Sequence, residues 1–156
     1  MNPRSYLSEG DGSARPDALG LVKPHVLVVD GRPADSFIVG CYLQQFGCPH
    51  DVAVTFEDAI RRISGENYYD AIIIDVAAPR LGAADLIGII RRREQTDGLR
   101  RAQLIALAAF APLDDPKECL KAGLDDYLSK PCNPRALAQK LGLKEMPFAE
   151  RWPTSD

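Results

Sequence analysis

The chain has 156 residues, room for one domain with short flanks, and a core of about 100–120 residues can bury enough apolar surface to fold without disulfides or metal. Its hydrophobic share of 46% and charged share of 26% are ordinary for a globular protein, and a net charge of −3 gives no general attraction to nucleic acid or to an anionic membrane. No apolar stretch is long enough to span a bilayer and no signal peptide is visible, so a cytoplasmic protein without membrane contact is expected. The cysteines, Cys41, Cys48, Cys119 and Cys132, form no C-x-x-C pair, and only His25 and His50 could assist them. Zinc ligands usually come in close-spaced pairs, so reduced thiols serving as small apolar residues are expected instead.

Residues 1–24 read as a flexible tail, with Gly10, Gly12, Ser13, Pro16 and Pro24 and no sustained apolar period. The pattern changes at His25-Val-Leu-Val-Val-Asp30, a β-branched run ending in an acid. Ala34 to Phe46 carries Val39, Leu43 and Phe46 on one helical face, with Gly47 placed to terminate it. Asp51-Val-Ala-Val-Thr55 is a short strand, and Thr55-Phe-Glu-Asp58 resembles a capping box opening a helix through Ile60 and Ile63 to Gly65. Tyr69-Asp-Ala-Ile-Ile-Ile-Asp75 is a second apolar strand ending in an acid. Ala83 to Arg93 sets Leu86, Ile87 and Ile90 on one face, and Gln103 to Ala108 is a third continuous apolar strand. Asp115-Pro-Lys-Glu118 supplies an N-cap, a first-turn proline and a capping glutamate for a helix closed by Gly123. Asp126 to Ser129 is the last strand, and Asn133-Pro134 opens a helix with Leu137 and Leu141 one turn apart. Beyond Gly142, residues 143–156 read as a second tail, where Pro147 and Pro153 discourage a long helix.

Strands alternating with helices predict an α/β fold, a doubly wound five-stranded parallel sheet over residues 25–142. In such sheets ligands bind beyond the carboxyl ends of the strands. Asp30, Asp75 and Ala108 all fall on that edge, so the two acids are expected to converge.

Val28-Val-Asp30, Asp75-Val-Ala-Ala-Pro79 and Ala122-Gly-Leu-Asp-Asp-Tyr-Leu-Ser-Lys-Pro131 resemble, in order and spacing, the signature segments of bacterial two-component response-regulator receiver domains, over roughly residues 25–142. The resemblance implies the flavodoxin-like receiver fold and a signalling domain rather than an enzyme. It implies Asp75 as phosphoryl acceptor and Lys130 as the cation that pairs with the phosphoryl group. It implies a Mg²⁺ ion held by Asp30, Asp75 and the backbone carbonyl of Ala77, and a cis peptide bond before Pro131 that aims the lysine. Its partners would be a histidine kinase or phosphotransfer protein. A downstream target would dock on the face made by residues 115–123, 126–129 and 133–141, where Leu120, Ala122 and Tyr127 offer apolar contacts.

The chain departs from the family pattern in several places. Gly31 stands where the second member of the acidic pair would fall, which implies weak Mg²⁺ binding; Asp35 is the nearest spare acid, and the sequence does not set its reach. Ala108 replaces the Thr or Ser whose hydroxyl binds the phosphoryl group and couples it to a loop shift, which implies a blunted switch. Phe110 offers a bulky ring nearby, and Ala77 has no polar side chain to position an attacking water. Two alternatives stay open: slow phosphorylation of Asp75 with a blunted response, or a phosphorylation-independent pseudo-receiver that serves as a protein-docking module. A small flavin protein or doubly wound enzyme is disfavoured, because Gly31-Arg-Pro33 replaces a Gly-rich phosphate loop after the first strand.

Two further features have plain structural readings. Arg91-Arg-Arg93 with Arg100 and Arg101 reads as a solvated helix end complementing the macrodipole, with no recognition helix to suggest nucleic acid. Tyr127 occupies the family's switch aromatic position, and its simpler reading is a packed edge-strand ring. Met1 is present, and the chain reads either as a stand-alone receiver or as one excised from a longer protein.

Overall fold

A computed structural model of the protein describes residues 23–65, 68–76, 82–108 and 123–143. The elements are β1 (Val26–Val29), α1 (Pro33–Phe46), β2 (His50–Ala53), α2 (Phe56–Ser64), β3 (Ala71–Asp75), α3 (Ala83–Thr96), β4 (Gln103–Ala108), β5 (Asp126–Ser129) and α4 (Pro134–Lys140). The strands form one all-parallel sheet in the order β2-β1-β3-β4-β5, which is the flavodoxin-like arrangement expected. The expected helix over 115–123 apart from Gly123, the tails apart from Lys23, Pro24 and Leu143, Ala77 and Phe110 lie outside the described residues.

The continuous apolar runs become the central strands because both faces of the sheet are covered. Val26 and Val28 of β1, Ala71 and Ile73 of β3, and Ile105 and Leu107 of β4 share one core with Val39, Leu43 and Phe46 of α1 and Leu137 and Ala138 of α4. The alternate residues, Leu27, Val29, Ile72, Ile74, Leu104 and Ala106, face the opposite core with Ala59 of α2 and Leu86, Ile87 and Ile90 of α3. The period of two thus sorts each strand between two helix pairs. Cys48 and Cys132 are buried in the first core, and burial pushes both thiols up to about 11; Cys41 is half-buried, and all three are free.

Local signals fix the helix ends. Gly47 adopts the left-handed conformation (φ 79°) and donates its backbone N–H to the Gln44 carbonyl, ending α1 as read from the sequence. The Thr55 hydroxyl accepts from the Asp58 N–H, but the capping box is incomplete. The Asp58 carboxylate turns to Arg61 and Arg62, which hold its pKa below the usual value despite some desolvation. Asn133 caps α4 by accepting from the N–H groups of Arg135 and Ala136.

The arginine run is not a uniformly solvated helix end. Arg91 has a side chain only 14% exposed and reaches back across the sheet's far edge. It donates to the carbonyls of Gly123 (2.9 and 3.0 Å) and Ala102 (2.8 Å) and pairs with Glu94 (2.8 Å) and Asp125 (2.7 Å). Gly123, with φ 108°, presses against this arginine so closely that an added Cβ would lie 3.0 Å from Ile87 and 3.3 Å from Arg91. Asp125 also accepts from Arg101 (2.8 Å) and from the Leu104 N–H (2.9 Å), so its carboxyl is held below the ordinary range although burial pushes the other way. Arg91 therefore ties α3 to the entries of β4 and β5. Arg91→Ala would take these donors from the Gly123 and Ala102 carbonyls and the paired cation from Glu94 and Asp125, which keep only their other donors; a loss of about 2–4 kcal/mol is expected by urea unfolding. The exposed Arg92→Ala should cost less than about 0.5 kcal/mol, and equal losses for the two variants would refute the tie.

Candidate functional site

Parallel pairing brings the site together. Val29 of β1 is in register with Ile74 of β3, so the next residues, Asp30 and Asp75, emerge side by side at the carboxyl edge. Asp75 is in turn opposite Leu107 of β4, and Ala108 is opposite Ser129 of β5, one residue before Lys130. The Lys130 N–H donates to the Ala108 carbonyl at 2.7 Å, and the Lys130–Pro131 peptide bond is cis, as the resemblance implied.

Asp30 is 0% exposed and Asp75 2%. The Lys130 ammonium lies 3.1 Å from Asp75 Oδ2, 3.3 Å from Asp30 Oδ2 and 2.9 Å from Asp35 Oδ2. Asp30 Oδ1 accepts from the Arg32 N–H at 2.9 Å, whereas Asp30 Oδ2, though within ion-pairing distance of the lysine, receives no hydrogen bond. Burial raises the Asp30 pKa, opposed by the Arg32 N–H and by Lys130 and reinforced by the like charge of Asp75. Burial alone would depress the Lys130 pKa, but hydrogen bonds to Asp35 and Asp75 and the charges of Asp30 and Asp75 outweigh it, so its pKa is raised and the ammonium is retained.

Of the positions singled out in the sequence, Asp30, Asp75 and Lys130 meet, and Ala108 stands at the same edge, buried. Ala77 is outside the described residues. Tyr127 is not the packed ring of the simpler reading: it is 43% exposed on the edge strand β5. Asp35, whose reach the sequence left open, joins the cluster from the first turn of α1. Gly31 is exposed, and its backbone is not in the left-handed region, so nothing in its conformation demands glycine.

The donor set is hard oxygen, and a buried carboxylate oxygen without a hydrogen bond is a natural cation ligand. Asp30 and Asp75 thus suit a Mg²⁺ ion, although the carboxylates are gathered around the lysine. Among the described residues no three His, Cys, Asp or Glu side chains are already arranged as a metal-holding group.

A fully parallel 2-1-3-4-5 sheet with two buried acids and a lysine at its carboxyl edge defines a receiver-type α/β signalling module. The response regulator receiver domain model matches residues 26–142, and the chain belongs to that family. It is 36% identical over 108 residues to the hybrid signal transduction histidine kinase L of Dictyostelium discoideum, covering 68% of this chain but 6% of that protein. It likewise spans only 13% of the sensor protein GacS of Pseudomonas syringae. Among solved structures it resembles the receiver domain of the sensor histidine kinase PA1611 from Pseudomonas aeruginosa, determined with magnesium in its active-site cleft (29% identity, TM-score 0.63, 78% of this chain and 99% of that one). It also resembles the Saccharomyces cerevisiae complex of the phosphotransfer protein Ypd1 with the Ssk1 receiver domain (28% identity, TM-score 0.67, 77% and 87%). No helix among the described residues is long and apolar enough to cross a membrane.

The raised pKa of Asp30 carries a sign. Its neutral form is favoured by folding, so its contribution is fully present below the unfolded carboxylate value and is lost as pH rises through the folded one. At neutral pH the ionised group is a cost. Asp30→Asn, measured with chelator present, should therefore raise the thermal midpoint at pH 7. The gain should shrink as pH falls toward about 4. A midpoint at pH 7 equal to or below that of the parent would contradict this account.

Proposed function

We propose that the chain is a phosphoryl-accepting receiver of a two-component phosphorelay, taking the group on Asp75 from a histidine kinase or phosphotransfer partner. The observation that carries this reading is the Lys130 ammonium 3.1 Å from the buried Asp75 carboxylate. In this reading an Asp75 oxygen attacks phosphorus, an acyl-phosphate bond forms, and the donor's bond to phosphorus breaks. Lys130 then faces the phosphoryl oxygens and balances their charge. Asp30 and Asp75, with the Ala77 carbonyl, would hold Mg²⁺; when bound, the cation screens the negative charge of the incoming group. The domain is a substrate of its partner and a signalling element, not an enzyme in its own right, and it acts in the cytoplasm.

The partner assignment is supported by the kinases among its relatives and by the yeast complex of a receiver domain with a phosphotransfer protein. A downstream protein would use residues 115–123, 126–129 and 133–141. The half-exposed Tyr127 on β5 and the half-buried Ala136 on α4 favour that face. Nucleic acid is not a fitting partner: Arg91, Arg93 and Arg101 are each engaged with carboxylates.

Two substitutions favour a second reading, the phosphorylation-independent docking module. Gly31 withholds a carboxylate from the metal, and the buried methyl of Ala108 can donate no hydrogen bond to a phosphoryl group. A phosphoryl group shifts a conformational equilibrium only by its differential affinity for the two states. Lacking the hydroxyl, the switch forgoes on the order of 1 kcal/mol of that difference.

With a small phosphodonor and Mg²⁺, mass spectrometry should find one added phosphoryl group on the wild type and none on Asp75→Asn. Amide chemical-shift changes around residue 108 and Tyr127 should be small in the wild type and larger in Ala108→Thr. An unmodified wild type under conditions that modify an ordinary receiver would favour the docking module, and a full-sized response in the wild type would refute the blunted switch. Gly31→Asp should raise Mg²⁺ affinity by about tenfold, or 1.4 kcal/mol, in calorimetry; unchanged affinity would mean that position 31 is not a ligand position.

A further inference from the structure

The Lys130 ammonium divides its N–H donors unevenly. Nζ hydrogen-bonds to Asp35 Oδ2 at 2.9 Å and to Asp75 Oδ2 at 3.1 Å. Asp30 Oδ2, 3.3 Å from the same ammonium, receives no hydrogen bond. Yet the Asp30 side chain is sealed from water, whereas a third of the Asp35 side chain is exposed. Water can serve an exposed carboxylate and cannot serve a buried one, so the donor spent on Asp35 goes where it is least needed. Asp35, fixed in the first turn of α1, thus draws the lysine head toward the solvent side of the buried pair. We infer that Asp35 is a positioning residue that acts through Lys130 and restrains phosphoryl transfer, because its carboxylate engages the ammonium that an incoming phosphoryl group must engage. The inference rests on the acceptor role proposed above for Asp75.

In that transfer an Asp75 oxygen gives an electron pair to phosphorus, while the donor's bond to phosphorus breaks and its pair departs with the donor. The phosphoryl oxygens then need a cation. Lys130 is the cation beside Asp75, and the buried methyl of Ala108 offers no hydrogen bond to share the task. The group arrives from the side on which Asp35 stands, since Asp30 and Asp75 are almost wholly buried and Asp35 is the outermost of the acids. To pair with it, the ammonium has to release Asp35 or divide its donors again. A carboxylate at that mouth also repels an anionic donor. Nor is Asp35 needed to keep the lysine in the site, because Asp75 at 3.1 Å and Asp30 at 3.3 Å hold it there.

The opposite account is that Asp35 anchors Lys130 for the transfer, and its sign is opposite too: losing the carboxylate would slow the reaction. A second account is that Asp35 only repels the donor through space, an effect that salt screens. Acetyl phosphate serves as donor, with Mg²⁺ at a concentration that saturates each protein. Mass spectrometry follows adduct formation on the full chain as wild type, Asp35→Asn and Asp35→Ser, and thermal melts verify folding. The serine variant repeats the test, so that a defect peculiar to one substitution cannot decide it.

Both variants should be phosphorylated about threefold faster than the wild type, a modest gain because the Asp35–Lys130 pair is partly exposed. The gain should persist in roughly 0.5 M salt, where repulsion through space is largely screened. Equal or slower phosphorylation of the variants, or a gain that disappears in salt, would overturn the inference and leave Asp75 as acceptor. If none of the proteins takes up the group, the acceptor reading fails and the inference fails with it.

Discussion

Everything at the carboxyl edge of the sheet depends on one ammonium group holding two buried carboxylates side by side. Parallel register leaves Asp30 and Asp75 no choice of neighbour, since the strands that carry them are adjacent and in phase. Two like charges so close, and so nearly sealed from water, would repel and bear a large desolvation penalty. Lys130 offsets part of both, and it can do so because its own N–H is pinned to the Ala108 carbonyl at the end of the neighbouring strand. The site is thus assembled from three loop beginnings that the sheet aligns, and each depends on the apolar strand behind it.

That dependence explains why two small residues matter more than their size suggests. Gly31 and Ala108 change no backbone: the first avoids the left-handed region, and the second pairs with Ser129 as any strand residue would. What they subtract is chemistry, an anion in one case and a hydroxyl in the other. The scaffold and the meeting of Asp30, Asp75 and Lys130 survive, at an edge with one carboxylate and one hydroxyl fewer than the family pattern. Fold and activity are separable here because packing is set by the faces of the strands, and chemistry by the residues just past their ends.

Much of this is legible in the order of the residues. The three continuous apolar runs mark buried parallel strands, and the acids closing two of them fall where topology brings strand ends together. Gly47 and Asn133 mark helix boundaries through conformations and hydrogen bonds that few other residues provide. Less legible are contacts set by side-chain reach. Asp35 and Lys130 are 95 residues apart, and whether a first-turn aspartate turns inward depends on where the last strand delivers its lysine. Arg91 looks like its neighbours in a run of three, and only helix phase decides that it alone swings under Gly123. Tyr127 departs from its simpler reading for a related reason: β5 is an edge strand, so much of its ring stays open to water.

The sulfur atoms lead to a practical corollary. With their thiols pushed up to about 11 by burial, Cys48 and Cys132 stay protonated at neutral pH, and thiolate is the form that reacts. Packed in the same core as Leu43 and Leu137, they are shielded from reagents as well as poorly nucleophilic. Half-buried Cys41, on α1, is by contrast accessible. With Cys119 replaced by serine, a maleimide probe would therefore discriminate among these three sulfurs, placing a spectroscopic reporter less than two turns from Asp35 on the helix that borders the site.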